Sequence, residues 1–235
     1  MIELKNVEVR YKDNAERDSR GALAGVNLRI NDGEFVFIVG DSGAGKSTLL
    51  KLLTLEKQPS AGRVFVNGYN LANIKPHRVP NYRRTIGMIF QDFRLIPSMT
   101  VYDNVAYVLR VTDKSSRFIR QRVPYVLSLV KLSEKAKSYP SQLSGGEQQR
   151  VAIARAFATE PKLIIADEPT GNIDPQLSYD IVSLLLDLNK LGSTVLMVTH
   201  DHDLVQYFGG RVMNLKKGTV TYDDYIPPDG GGAAI

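Results

Sequence analysis

The chain contains no cysteine, which excludes disulfide bonds and thiolate chemistry and leaves the redox compartment unread. No apolar run within its 235 residues approaches the roughly 20 needed to cross a bilayer, so any membrane work falls to a separate subunit or a detached domain. The opening residues Met1-Ile2-Glu3-Leu4-Lys5 lack a signal-peptide pattern, and no internal repeat is visible. Charge of one sign is not concentrated either. The net charge of +5 comes from 30 Lys and Arg against 25 Asp and Glu. Arg83, Arg84, Arg117, Arg120 and Arg122 are dispersed, as on a solvated basic surface, although the same sign suits nucleic acid or an anionic membrane face. With 43% hydrophobic and 23% charged residues, the chain reads as an ordinary soluble globular protein of one or two lobes with ample core.

Apolar β-type segments alternate with helical ones, so the fold class is α/β. Ile2 to Tyr11 and Leu23 to Ile30 read as early strands of an antiparallel section, with a polar loop over Lys12 to Arg20 between them. Gly62 to Val66 reads as a further strand, and Arg117 to Leu132 and Gly146 to Phe157 read as helices of a middle lobe. Leu163 to Ala166 and Thr194 to Thr199 are buried strands, and Ile181, Leu184, Leu185 and Leu188 mark one face of a long helix. Val212 to Leu215 and Thr219 to Tyr222 flank Lys216-Lys217-Gly218, a hairpin signal. The tail from Pro227 to Ile235 is rich in Pro and Gly and reads as disordered.

The segment Gly40-Asp41-Ser42-Gly43-Ala44-Gly45-Lys46-Ser47 fits the phosphate-loop pattern G-x-x-x-x-G-K-[ST]. Its flanks are those the motif requires. Phe35-Val36-Phe37-Ile38-Val39 reads as a buried strand before it, and Leu49, Leu52 and Leu53 follow at helical spacing. Glycines let the backbone curl so that several N–H groups face one anion, and the helix that begins there adds its positive dipole end. Lys46 supplies a mobile charge for the β- and γ-phosphates, and Ser47 a hydroxyl for Mg²⁺. The chain is therefore expected to bind a nucleoside triphosphate, which together with the missing export signal points to a cytoplasmic location.

Leu163-Ile164-Ile165-Ala166-Asp167-Glu168 is an apolar strand ending in two carboxylates. In phosphate-loop enzymes an Asp at such a strand end helps to hold magnesium, and the next carboxylate is placed to polarise water. Leu143-Ser144-Gly145-Gly146-Glu147-Gln148-Gln149-Arg150 is the third signature. Ser144 and Glu147 form an S-x-x-E capping box, and Val151, Ala154 and Ala158 give the helix an apolar face. A capping box needs no double glycine, whereas two glycines beside a helix start expose backbone N–H groups to an anion.

Together these segments resemble the ATP-binding cassette (ABC) ATPases: Gly40 to Ser47 the Walker A loop, Leu163 to Glu168 the Walker B strand, and Leu143 to Arg150 the signature, in family order and over nearly the whole chain. The resemblance implies one ABC ATPase domain over 1–226, with a phosphate-loop NTPase core of mostly parallel sheet (1–91 and 161–226), an N-terminal antiparallel β section and a helical subdomain at about 92–160. Further positions follow by match. Thr48 joins the Walker A set. Tyr11 resembles the aromatic residue that stacks on adenine; it also reads as an edge-strand aromatic, because a long polar loop follows it. Gln91 resembles the Q-loop glutamine, which contacts magnesium. Gly171-Asn172-Ile173-Asp174 resembles the D-loop, and His200 the switch histidine at the γ-phosphate.

The resemblance implies an ATPase that works as a homodimer in its ATP state. Walker A of one copy would face Ser144, Gly145, Gly146 and Glu147 of the other. Lys46, Gln91, Glu168 and His200 are the expected catalytic residues, and Ser47, Gln91 and Asp167 the expected Mg²⁺ ligands. The run Ile89-Phe90-Gln91-Asp92-Phe93-Arg94-Leu95-Ile96-Pro97, followed by Thr100-Val101-Tyr102-Asp103-Asn104-Val105-Ala106, is similar to the family's cell-division branch. That branch implies an integral membrane partner of FtsX type docking near Gln91 to Pro97, a peripheral place at the cytoplasmic face of the membrane, and activation of cell-wall hydrolases across it. No nucleic acid is expected as a partner. Two alternatives stand beside this reading: the ATPase of a lipoprotein-releasing or macrolide-export transporter, and a soluble cassette ATPase or nucleotide-dependent scaffold. Long coiled-coil insertions and a second cassette, which mark many soluble types, are not visible.

Overall fold

The computed structural model describes residues 1–11 and 22–229. The loop expected over Lys12 to Arg20 lies outside them, as does the expected tail beyond Asp229. In chain order the elements are β1 (Ile2–Val9), β2 (Leu23–Ile30), β3 (Phe35–Val39), α1 (Lys46–Leu53), β4 (Ala61–Val66), β5 (Tyr69–Asn70), α2 (Val79–Arg83), β6 (Ile86–Ile89), α3 (Val101–Val111), α4 (Ser116–Leu129), α5 (Gly145–Phe157), β7 (Leu163–Asp167), α6 (Pro175–Lys190), β8 (Thr194–Val198), α7 (His202–Phe208), β9 (Gly210–Lys216) and β10 (Thr219–Ile226). They divide into two compact units: Met1–Arg83 with the chain from Thr194 onward, and Arg84–Ser193.

The first unit opens with an antiparallel sheet in the order β2-β1-β4-β5. Its register follows from burying one face. Ile2, Leu4, Val7 and Val9 are buried, and Ile2 pairs with Ile30 and Leu4 with Leu28. A second set of strands is parallel at its centre. β3 lies between β8 and β9, parallel to both, and β10 pairs antiparallel with β9. A parallel strand covered on both faces needs a continuous apolar run rather than alternation. Val36, Phe37 and Ile38 of β3 and Val195, Leu196 and Met197 of β8 are all fully buried, as that rule requires.

In the second unit β6 and β7 pair in parallel, Ile86 with Leu163 through Ile89 with Ala166. Helices α3, α4, α5 and α6 belong to the same unit. α5 approaches β6 closely: a Cβ built on Gly87 would lie 2.6 Å from the carbonyl oxygen of Ala156. The end of α5 is held by Arg122 of α4, which is buried. Its guanidinium donates to the carbonyl oxygens of Ala158 at 3.0 Å and Phe157 at 3.1 Å, and pairs with Glu160 at 3.1 Å. Burial, the dominant influence, draws the Arg122 pKa down.

The strands and helices read from the sequence are present with ends shifted by a few residues; the helix expected over Arg117 to Leu132, for example, runs Ser116–Leu129. The α/β class with an N-terminal antiparallel section is the observed one. Among the described residues no helix is long and apolar enough to cross a membrane.

Candidate nucleotide site

The phosphate loop runs from the end of β3 into α1, within the first unit. At Gly40 the backbone has φ 145°, and an added Cβ would lie 2.1 Å from the carbonyl oxygen of Leu215. At Gly45, with φ 108°, it would lie 2.6 Å from the carbonyl oxygen of Ala22. Both positions therefore demand glycine for conformation and for space. The loop is closed by the Ala44 N–H donating to Asp41 O at 3.1 Å, and tied to the hairpin by the Gly218 N–H donating to Ala44 O at 2.8 Å. The Lys46 ammonium arches back over its own loop, donating to Gly40 O at 2.5 Å and Asp41 O at 3.1 Å. Asp41, Ser42, Gly43 and Ser47 are exposed. The result is a curled, solvent-facing backbone with a cation over it at the start of a helix, which is what a polyphosphate needs.

Two other expected residues lie in the same unit. Thr199 donates its N–H to Ile38 O at 3.1 Å, continuing the parallel register in which Ile38 pairs with Val198. Counting on from that pair, His200 lies level with Gly40 beyond the carboxyl ends of their strands, where ligands of open α/β sheets bind. The Tyr11 hydroxyl is 3.3 Å from Thr48 Oγ1, and the Lys57 ammonium sits over its ring at 4.2 Å from the centroid. One face of the ring is thus covered, and an adenine stack would use the other.

The second unit gathers the remaining expected residues. Because Ile89 pairs with Ala166 in parallel, Gln91 and Glu168 lie level just past the ends of β6 and β7. Asn172 of the D-loop donates to Gln91 O at 3.0 Å, and a Cβ on Gly171 would meet Gln91 Nε2 at 2.6 Å. Glu168 stands in the left-handed region at φ 47°, a conformation costing about 1–3 kcal/mol for a non-glycine residue.

The signature forms the start of α5 as the capping box requires. Ser144 Oγ accepts from the Glu147 N–H at 3.2 Å, and Glu147 Oε2 accepts from the Ser144 N–H at 2.9 Å. The two glycines differ. A Cβ on Gly146 would meet Leu177 Cδ1 of α6 at 3.0 Å, a tight contact with the far end of an exposed side chain that can give by a few tenths of an ångström. A Cβ on Gly145 would make only ordinary contacts, the nearest to Asn172 O at 3.5 Å, so no described residue requires a glycine there.

The Glu147 carboxyl is held below its ordinary pKa of 4.5, chiefly by the Ser144 backbone hydrogen bond. A lowered folded-state pKa adds stability that is present above the unfolded value and lost as pH falls through the folded one. Glu147→Gln is accordingly expected to cost about 0.5–1 kcal/mol near neutrality and nothing in acid. Urea unfolding of both proteins at the two pH values checks this.

Residues missed by sequence reasoning fix the loop after Gln91. Phe93 and Arg94 both adopt positive φ, 55° and 49°. Arg155 of α5 grips that turn, donating to Arg94 O at 2.5 Å and Phe93 O at 2.8 Å. Asn104 of α3, fully buried, accepts from the Ile96 N–H at 2.8 Å and donates to the carbonyls of Ile96, Met99 and Thr100. The run Gln91 to Thr100 thus has its shape set by two side chains from separate helices.

A curled glycine loop with its lysine, a strand-end carboxylate pair and a capped double-glycine helix define a phosphate-loop ATPase of the cassette class. The sequence model described as ABC transporter matches residues 23–171, and the chain belongs to that family and is an ABC-type ATPase. Similar relatives include the cell division ATP-binding protein FtsE of Mycobacterium tuberculosis, 48% identical over 224 residues (95% of this chain, 96% of that protein). The FtsE of Escherichia coli is 47% identical over 218 residues, 93% of this chain and 96% of that one. Among solved structures, the ATP-binding cassette MJ0796, a dimer in a post-hydrolysis state with ADP and Pi, matches with TM-score 0.83 and 39% identity over 97% of this chain and 99% of that chain.

Proposed function

We propose that this ATPase is the nucleotide-hydrolysing subunit of a cell-division membrane complex of the FtsE type. It pairs with an integral partner of FtsX type and couples ATP cycling to activation of cell-wall hydrolases across the membrane. What carries the reading is full-length similarity to cell division ATP-binding proteins, 44% identical over 95% of this chain in Bacillus subtilis as well. The chain would sit peripherally on the cytoplasmic face, with the partner docked against Gln91 to Pro97.

The working unit is a homodimer with its copies packed head to tail; the similar MJ0796 cassette is dimeric. One two-fold axis makes two composite sites, each joining the phosphate loop of one copy to Ser144, Gly145, Gly146 and Glu147 of the other. The unneeded side chain at Gly145 supports this, because a phosphate approaching the signature helix requires that space. Lys46 and the loop amides stabilise charge on the transferring phosphoryl group. Glu168 takes the proton of the attacking water, while His200 steadies the γ-phosphate. Tyr11 stacks on adenine. Ser47, Asp167 and Gln91 offer the oxygen ligands that suit Mg²⁺, which is usually held by few protein groups alongside substrate phosphates; it would neutralise phosphate charge. Loss of phosphate removes the contact that favours the closed dimer, so the dimer reopens. Residues 1–91 with 161–226 form the catalytic lobe and about 92–160 the lobe that meets the partner.

Affinity purification of the tagged chain from detergent-solubilised membranes is expected to bring down one integral protein, lost when Phe93 and Leu95 are replaced by Asp. An exporter subunit in its place would move the protein to a transporter. Retention on nucleic acid that falls steeply with salt, without any membrane protein, would overturn the membrane assignment.

A further inference from the structure

Gln149 lies one turn into the signature helix α5 and is fully buried. Its amide Nε2 donates to the carbonyl oxygen of Pro169 at 2.6 Å. Its Oε1 accepts no hydrogen bond from any described residue. The amide orientation is forced, since a flip would set two oxygens against each other. A buried amide served on one side only is a net cost where an apolar side chain of similar size would pack without one. The side that is served must therefore matter, and it ends on the residue next to Glu168.

Glu168 needs such support. Its φ of 47° is unfavourable for a side chain with a Cβ, and Pro169 follows directly. Two backbone-directed bonds bracket it: the Gly171 N–H donates to Glu168 O at 3.1 Å, and Gln149 holds Pro169 O. Gln149 is carried on a rigid rod, with Val151, Ala152, Ile153 and Ala154 all buried behind it. The same rod begins with the capped Ser144 and the glycines.

We propose that Gln149 is a positioning residue that ties the signature helix to the strained backbone of Glu168 in the same chain. Engagement of the signature by one nucleotide thereby sets the carboxylate that acts on the other. This rests on the dimeric reading of the protein above. The coupling needs no moving part beyond α5 itself: a shift of its first turn pulls on Pro169 O, and the Glu168 carboxylate turns with its backbone.

The test uses Gln149→Met, which keeps the volume of the side chain and removes both the donor and the unserved oxygen. The full chain should keep its affinity for a fluorescent ATP analogue within about twofold and its urea midpoint, while kcat falls roughly 10–100-fold, the scale for losing the alignment of a reacting group. Wild-type kcat in this variant, beside a Glu168→Gln control that has lost turnover, overturns the coupling alone. Parallel loss of binding, stability and turnover makes Gln149 merely structural and also overturns it. A Glu168→Gln control with wild-type turnover removes the mechanism proposed above and this inference with it. Hydrogen exchange on the unaltered protein decides the matter should Gln149→Met fail to fold. Added Mg-ATP should slow the amides of α5's first turns and of Gly171 together, and protection of α5 without Gly171 would contradict the link.

Discussion

Glu168→Gln is expected to bind ATP as the native protein does and to stop turning it over. The anticipated fall in kcat is about 10²–10⁴-fold, the usual worth of a positioned general base and equal to roughly 3–5 kcal/mol of barrier. Three features make the carboxylate the group at risk. It follows directly on a strand whose residues Leu163 to Ala166 are fully buried, so its backbone has a fixed origin. It is held in a left-handed conformation that costs energy and persists only because the surroundings impose it. It lies level with Gln91 at the carboxyl edge of the β6–β7 pair. Glutamine keeps the size and the hydrogen-bonding oxygen but cannot take a proton from water, so the loss falls on the chemical step. If the proposed composite site holds, the triphosphate should continue to bridge the two copies once hydrolysis is blocked. Gel filtration with Mg-ATP should show a dimer that the native protein forms only transiently. A monomeric Glu168→Gln protein that hydrolyses ATP at the native rate would remove both the base and the composite site.

The parts of this site that were legible in the sequence are those whose chemistry is local. The phosphate loop is a run of eight residues in which Gly40 and Gly45 answer to clashes with Leu215 O and Ala22 O, and the pattern records the outcome of those clashes without naming them. The start of α5 was readable because a capping box spans four residues. β3, β7 and β8 were readable because strands buried on both faces spell continuous apolar runs. β6 was not, since Ile-Gly-Met-Ile is too short for a period and its glycine serves a contact with the sequence-distant Ala156. α3 left a usable signal: Thr100 caps it through the Asp103 N–H, and Val101, Val105 and Leu109 recur at helical spacing. The same residues carry the likeness to the family's cell-division branch. Gln149 and Arg155 were out of reach. Glutamine and arginine recur within the run Gln148-Gln149-Arg150 and again at Arg155, and only the packed fold decides which of them turns inward to a backbone carbonyl. The sequence pattern speaks for ligand-facing backbone, while the side chains that hold that backbone in place are written in tertiary contacts.

Lys46→Ala is expected to weaken ATP binding roughly 10²–10³-fold, about 3–4 kcal/mol, the scale of one unit charge near a phosphate oxygen at a partly shielded site. The effect should be large without being total. The loop amides and the start of α1 remain in place to receive the phosphates, since Gly40 and Gly45 keep the curl that their neighbours enforce. The fold should survive as well. Among the described residues the Lys46 ammonium donates to Gly40 O and Asp41 O within its own loop, and losing such bonds at a half-exposed position costs about 1 kcal/mol. That separates charge from architecture: urea unfolding should be nearly unchanged while titration with a fluorescent ATP analogue shifts by orders of magnitude. Lys46→Arg sharpens the comparison. It keeps the charge but replaces a compact ammonium with a broad planar group, in a loop where 2.5 Å separates the Lys46 nitrogen from Gly40 O. Partial recovery of affinity by arginine would mean that charge dominates, and none would mean that the shape of the cradle does. An alanine variant that binds the analogue as tightly as the native chain would place the phosphates somewhere other than this loop.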